Sequence, residues 1–208
     1  MNTSGGEITV HDKHVDYSGA KMGMWLFLFT ELIFFGGMFL LYAVYRSSFP
    51  EEFYSTSAEL HRTIGAVNTV VLITSSLTMA CSITAVKKGD TRLSALFQLL
   101  TILFALTFLV VKYFEWEAKI GHGIYPGSEA LTAQGQGKII FYSLYFVMTG
   151  IHGVHVLAGI AVISVTMAMT LKNRINKGDY IRLENTGLYW HFVDIIWVYL
   201  FPLLYLIG

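Results

Sequence analysis

The chain is poor in cysteine, proline and charge. Its 208 residues include one cysteine, Cys81, and three prolines. A single cysteine excludes an internal disulfide and a cysteine-based metal site. Charged residues make up 13% of the chain, against roughly 25% in soluble domains, so an ordinary soluble domain is excluded. The formal net charge is zero, and we therefore expect no nucleic-acid partner.

Apolar residues dominate instead, at 54% of the sequence with a mean hydropathy of +0.56. They fall into five runs, each near or above the ~20 residues that span a bilayer as a helix. The runs lack the period-2 alternation of a membrane barrel. We therefore predict an all-α polytopic membrane protein, a bundle of five transmembrane helices forming one membrane domain over residues 1–208. The predicted spans are 22–45, 64–86, 93–116, 139–171 and 186–207. The fourth exceeds a perpendicular span and should tilt or project.

Lysine and arginine predict the orientation of the bundle. Nine of these residues precede the first span or lie in the loops after the second and fourth: Lys13, Lys21, Lys87, Lys88, Arg92, Lys172, Arg174, Lys177 and Arg182. Five fall on the opposite side: Arg46, Arg62, Lys112, Lys119 and Lys138. The positive-inside rule then places the N-terminus in the cytoplasm and the C-terminus outside. We expect no cleaved signal peptide, because no small-residue cleavage site follows the first apolar run. The two longer outer loops are expected to be surface caps.

A few polar side chains fall inside the predicted spans. Glu31 lies roughly 14 Å from the inner edge by helix rise, and His191 and Asp194 lie roughly 8 and 12 Å in. His155 is near the middle of the fourth span. A charged group at such depth costs several kcal/mol when it faces lipid, so each should face another helix or subunit. Two interpretations remain open for Glu31, a hydrogen bond that joins helices or a role in proton handling.

A metal site is the alternative use of these side chains. His152 and His155 share one helical face, and with His191, Asp194 and Glu31 they could form a histidine and carboxylate site or supply haem ligands. The spacing is not specific for a metal, and the other four histidines lie in the tail or loops: His11, His14, His61 and His122. We therefore expect no metal or cofactor in this chain, with the histidines bonded across helix interfaces.

Two patterns predict how the helices pack. Glycines allow close approach on the first and fourth spans: Gly36, Gly37, Gly150, Gly153 and Gly159. On the second span, Asn68, Ser75 and Ser82 recur every seven residues and share a face. We expect Ser75 or a neighbour to bond Glu31, and the His191–Asp194 pair to face the fourth span.

Five segments, taken together, resemble subunit III of the haem–copper oxidases. They occur in the family's order and cover nearly the whole chain: Thr-Glu-Leu-Ile-Phe-Phe at 30–35, Asn-Thr-Val-Val-Leu-Ile-Thr-Ser at 68–75, Glu115-Trp116, Gly-Ile-His-Gly-Val-His at 150–155, and Trp-His-Phe-Val-Asp-Ile-Ile-Trp at 190–197. The chain resembles the five-helix bacterial form, without the first two helices of longer members.

The resemblance implies a subunit of a terminal respiratory oxidase that reduces oxygen to water and pumps protons, in a bacterial inner membrane. It implies that haem and copper lie in partner subunits, with subunit I the main contact, subunit II a further partner and other respiratory-complex subunits possible ones. It also implies support of proton uptake, bound phospholipid, and a match of Glu31 to the family's carbodiimide-reactive glutamate. The buried polar residues that the resemblance and the spans single out are Glu31, Ser75, Glu115, His152, His155, His191 and Asp194.

Other functions stay open at this point. The same subunit occurs in quinol oxidases and beside nitric oxide reductases, and the helices alone do not distinguish the electron donor. An independent membrane transporter or metalloenzyme is the alternative of another class.

Overall fold

The computed structural model describes residues 17–207. Every regular element in this part of the chain is a helix, which confirms the all-α prediction. The helices are α1 (Tyr17–Ser48), α2 (Pro50–Ala58), α3 (Arg62–Lys88), α4 (Thr91–Gly121), α5 (Glu129–Thr132), α6 (Gln136–Leu171) and α7 (Ile181–Tyr205). The predictions concerning Lys13, His11 and His14 lie outside the described residues.

Five of these helices are long and apolar enough to cross a membrane, as the sequence predicted: α1, α3, α4, α6 and α7. Most begin earlier or end later than their apolar runs. The first predicted span of 22–45 becomes Tyr17–Ser48, for example, a helix of 32 residues and about 48 Å. That exceeds the ~30 Å hydrocarbon core, so polar first and last turns extend into the headgroup layer. Apolar runs detect the hydrocarbon-facing part of a helix and miss these polar turns.

The loop after α1 is more than a surface cap. It contains α2, which buries Phe53 and bonds to α7 through the Ser57 hydroxyl, a donor to the Leu204 carbonyl at 2.8 Å. Pro50 at the first helical position, followed by Glu51 and Glu52, is a helix-start signal that the sequence analysis did not use.

Helices α3, α4, α6 and α7 form the buried centre of the bundle, and α1 packs on its side against α6 and α7. Two tryptophans on α7 bond to hydroxyls on α3. The Trp190 indole N–H donates to Ser75 and the Trp197 indole N–H donates to Thr69, each at 3.1 Å. Most large side chains of α1 are exposed, so its outer face is open to lipid or to another subunit.

Glycine contacts are confirmed on α6 and are absent from α1. A Cβ added at Gly159 would lie 2.6 Å from a Trp190 ring carbon, so this glycine lets α7 approach closely. The prediction was wrong for Gly36 and Gly37, where an added Cβ would meet nothing within 4 Å. It was also wrong for Gly153, where an added Cβ likewise would meet nothing within 4 Å.

Ion pairs mark the two ends of the bundle. Glu184, at the start of α7, accepts from Lys21 of α1 at 2.9 Å and from Lys87 of α3 at 2.7 Å. At the other end, Glu59 accepts from Lys138 at 2.7 Å and from the Tyr142 hydroxyl at 2.9 Å. The end that carries Glu184 is called the cationic end here, because it also bears Lys88, Arg92, Lys172, Arg174, Lys177 and Arg182.

Candidate functional site

Glu31 bonds to His155 at mid-depth along the helices, on the side of the bundle. The Oε2 atom of Glu31 on α1 lies 3.0 Å from Nε2 of His155 on α6. Glu31 is fourteen residues from the start of α1 and seventeen from its end, which places it at mid-depth. The two side chains are 20% and 17% exposed, so the pair lies at the surface of the bundle.

Other groups hold the His155 ring in place. Its Nδ1 lies 2.9 Å from the Ile151 carbonyl oxygen, one turn earlier on α6. Phe35 meets the ring edge to face, with centroids 5.2 Å apart. The Tyr189 hydroxyl donates to the His155 carbonyl at 3.1 Å. The imidazole is thereby aimed at Glu31.

Ser75 is not the partner of Glu31, and this prediction was wrong. Its hydroxyl accepts from the Trp190 indole and donates to the Leu72 carbonyl at 2.7 Å. Ser75 is fully buried between α3 and α7. The α1 helix that carries Glu31 contacts α6 and α7, so α3 is out of reach. The shared face of Asn68, Ser75 and Ser82 is confirmed, because all three are fully buried.

His191 and Asp194 of α7 also depart from expectation. His191 Nδ1 bonds to the Ser76 hydroxyl on α3, and not to the fourth span as predicted. Asp194 is buried, and neither carboxyl oxygen has a hydrogen-bond partner among the described residues. Ser76 lies beside Asp194 as well, but its hydroxyl is directed at His191. The two side chains face α3 because that is the helix along which this face of α7 packs.

His152 is separated from His155 in the structure, although the two are only three positions apart in the sequence. Its ring is fully buried between Phe108 of α4, with centroids 5.5 Å apart, and Trp197 of α7, at 5.3 Å. His155 faces α1 instead. The shared helical face predicted for the two histidines therefore does not bring them to one site.

Glu115 anchors a buried network that the sequence analysis did not predict. Its carboxylate accepts from Lys112 at 3.0 Å, from the Tyr145 hydroxyl at 2.8 Å and from the Tyr205 hydroxyl at 2.6 Å. Lys112 also donates to both tyrosine oxygens, at 3.2 and 2.8 Å. All three ammonium hydrogens thus have acceptors. Tyr145 lies on α6 and Tyr205 on α7, so the network joins three helices.

Lys112 had been counted among the outer charges, and the structure corrects this. Lys112 and Lys119 both lie inside the bundle, more than nine-tenths buried. A lysine three residues before a glutamate within one apolar helix is a signal for such an internal pair. Charge counting by position along the chain does not use that signal.

The candidate ligands do not converge on a metal-like geometry. Over residues 17–207, no three or more His, Cys, Asp or Glu side chains gather in one place. The spanning histidines are distributed among separate partners: Glu31 for His155, Ser76 for His191, and aromatic rings for His152. What the Glu31–His155 arrangement offers chemically is one hydrogen bond between a carboxyl and an imidazole.

Comparisons with known proteins match nearly the whole chain, including every helix described above. A family model described as "Cytochrome c oxidase subunit III" matches residues 3–208. The chain is 30% identical over 212 residues to "Cytochrome c oxidase subunit 3" of Thermostichus vulcanus, covering 100% of this chain and 96% of that protein. It is 28% identical to "Probable quinol oxidase subunit 3" of Staphylococcus haemolyticus, covering 90% and 89% of the two chains. It is 30% identical to "Cytochrome bo(3) ubiquinol oxidase subunit 3" of Pseudomonas putida, covering 90% and 85%.

Proposed function

Because the chain belongs to the cytochrome c oxidase subunit III family, we propose that its Glu31–His155 pair holds an exchangeable proton beside a partner subunit of a proton-pumping respiratory oxidase. In this role the chain supports proton uptake by the oxidase and the stability of subunit I. The observation that carries the proposal is the 3.0 Å bond at mid-depth on the surface of the bundle.

The surroundings of His155 set the proton arrangement. A backbone carbonyl only accepts hydrogen bonds, so the contact with Ile151 requires a hydrogen on Nδ1. Nε2 is then free either to accept from a protonated Glu31 or to donate to an ionised Glu31. One proton therefore lies between the two atoms and can move without any rearrangement of the helices.

Partial exposure of the pair points to a protein neighbour. A carboxyl group in contact with acyl chains at mid-depth is costly. Glu31 lies on α1, most of whose large apolar side chains are exposed on its outer face. We propose that subunit I covers this face as the main contact, with subunit II a further partner. We also propose that haem and copper lie in those subunits and that this chain holds no redox centre.

The electron donor is a separate proposal, because relatives of similar identity are named for cytochrome c and for quinol. We propose a cytochrome c oxidase, with a quinol oxidase as the second candidate. Oxidation of reduced cytochrome c by the purified complex, compared with oxidation of a quinol, distinguishes the two.

The orientation is also a proposal. We place the protein in a bacterial inner membrane with the cationic end in the cytoplasm. Nine lysines and arginines fall at the cationic end or in the segment before α1, against five at the other end, where Lys112 and Lys119 are buried, Lys138 is half-buried and Arg46 and Arg62 are exposed. This excess of lysine and arginine at the cationic end supports the proposed orientation.

Purification through an affinity tag on this chain tests the proposal. We expect haem absorbance and oxygen reduction to copurify with the tag, and a hydrophobic carbodiimide to label Glu31 in the complex. The exposed Glu117 on α4 serves as the comparison and should be unlabelled. Recovery of the chain without haem protein would contradict its role in an oxidase. Equal labelling of Glu31 and Glu117 would contradict the proposal that the Glu31–His155 pair holds an exchangeable proton.

A further inference from the structure

Three buried polar side chains near the centre of the bundle have no hydrogen-bond partner in the chain. They are Asn68 on α3, His152 on α6 and Asp194 on α7, and none is more than 4% exposed. Among the described residues, eight buried side-chain nitrogen and oxygen atoms have no partner, and these three side chains contribute six of them. Buried polar atoms are seldom left unsatisfied, so this concentration indicates a ligand from outside the chain.

The contacts of Trp197 place the three side chains around one layer of the core. The Trp197 ring lies 5.3 Å from the His152 ring, and its indole N–H donates to Thr69, the residue after Asn68. Asp194 comes three residues before Trp197, on the same side of α7. Because α3 packs against α4 and α7, the fully buried Asn68 faces those two helices. All three side chains therefore project into the space that α3, α4, α6 and α7 enclose.

The polar groups beside this layer are engaged elsewhere. The Lys112 ammonium lies 5.1 Å from the Trp197 ring centroid, but each of its three hydrogens already has an acceptor. On α3, the Ser75 hydroxyl bonds to an indole and the Ser76 hydroxyl bonds to an imidazole. The described part of the chain therefore offers neither a cation for the Asp194 carboxyl nor a hydrogen-bond partner for the other two side chains.

The mixture of donors and acceptors defines the ligand. An amide presents two hydrogens and an oxygen, a neutral imidazole presents one donor and one acceptor, and a carboxyl group mainly accepts. A ligand that satisfies all of them must donate as well as accept, and it must be small enough for a packed core. Internal water does this in other proteins, with about three hydrogen bonds per molecule to buried polar groups. A metal cation would bond to the oxygen atoms and leave the amide and imidazole hydrogens unsatisfied.

We propose that the space enclosed by α3, α4, α6 and α7 binds water, which bridges the His152 imidazole and the Asp194 carboxyl and has the Asn68 amide as a further partner. Residues of this chain alone form the site. It is separate from the Glu31–His155 bond, which lies on the side of the bundle, and it does not depend on the proton role proposed for that pair.

Coupling between the two bridged side chains is one test of the site. His152→Phe and Asp194→Leu each remove one partner of the water, so each should lower the temperature at which the subunit dissociates from the solubilised complex. The double variant should lose less than the sum of the two single losses, because the residues share a partner. Ser82→Ala is the matched control, since the buried Ser82 hydroxyl bonds to Ser94 and lies fourteen residues after Asn68 on α3. Its loss should add to that of His152→Phe. Additive losses for His152→Phe with Asp194→Leu would overturn the proposal.

A second measurement uses only the wild-type complex and remains decisive if a variant fails to assemble. A cryo-EM map of the intact oxidase, at a resolution that shows ordered water at other buried sites, should contain a water peak within about 3.2 Å of both His152 and Asp194. Such a map without a peak between these side chains would overturn the proposal. A peak held only by oxygen atoms at roughly 2.4 Å would identify a metal cation and overturn the assignment to water.

Discussion

The Lys112 ammonium lies 3.0 Å from the Glu115 carboxylate, one turn away on α4 and inside the bundle. Their side chains are 9% and 2% exposed. Two buried charges are tolerated only where attraction and hydrogen bonds offset the loss of water. Tyr145 and Tyr205 supply those bonds, so the pair fixes how α4, α6 and α7 meet.

Removing one charge of this pair should weaken the bundle more than removing both. Lys112→Met leaves Glu115 buried without its cation, which should cost about 3–5 kcal/mol. Combining it with Glu115→Gln should recover part of that loss, since the glutamine keeps an acceptor for the tyrosines. The temperature at which the subunit dissociates from the solubilised complex measures the loss of stability in the single variant and its partial recovery in the double variant. Additive losses in the double variant would contradict the coupling.

Gly159 should be intolerant of a methyl group. A Cβ there would lie 2.6 Å from the Trp190 ring, so Gly159→Ala should force α6 and α7 apart at a cost of about 1–3 kcal/mol. Gly153→Ala, on the same helix with nothing within 4 Å, should be neutral or slightly stabilising. Thermal unfolding of both variants makes the comparison. A similar loss of stability in the two variants would show that the close contact between Gly159 and Trp190 is not the cause.

The Ser75 hydroxyl should matter because it satisfies the buried Trp190 indole. Ser75→Ala leaves that N–H without an acceptor, at a cost of about 1–3 kcal/mol. Thr74→Ala is the matched control, since the half-buried Thr74 donates its hydroxyl hydrogen only to the Val70 carbonyl of its own helix. We expect the control to change stability by less than about 0.5 kcal/mol. Equal stability of the two variants would contradict the role of Ser75.

The number and approximate positions of the spans were predictable because hydrocarbon selects long apolar runs. The partner of Glu31 was not. Residue spacing gives the relative directions of side chains on one helix, whereas the rotation of α1 against its neighbours depends on packing along its whole length. Glu31 therefore met His155 on α6, and the predicted bond to Ser75 on α3 was wrong.

Lys112 illustrates a different limit. Its three-residue spacing from Glu115 was visible in the sequence, but charge counting treats lysines near span ends as exposed. The tyrosines whose hydroxyls accept from Lys112 and so offset its loss of water are 33 and 93 residues away in the sequence. No local pattern brings those groups together, because tertiary packing does so.

Single cysteines should report the orientation. Replacing Cys81 by serine gives a cysteine-free chain to which Lys177→Cys or Gln134→Cys is added, one at each end of the bundle. In intact cells a membrane-impermeant maleimide should label position 134 and reach position 177 only after permeabilisation. The reverse pattern would place the cationic end outside.

Proton pumping by a Glu31→Gln oxidase tests the central claim most directly. The amide keeps a donor and an acceptor for His155, so assembly and haem content should stay normal. It cannot release a proton, so we expect fewer protons pumped per electron or faster loss of activity during turnover. Glu117→Gln, which removes an exposed carboxylate, should behave as wild type. Unchanged pumping and an unchanged turnover lifetime in Glu31→Gln would contradict the account and leave the pair a structural contact between α1 and α6.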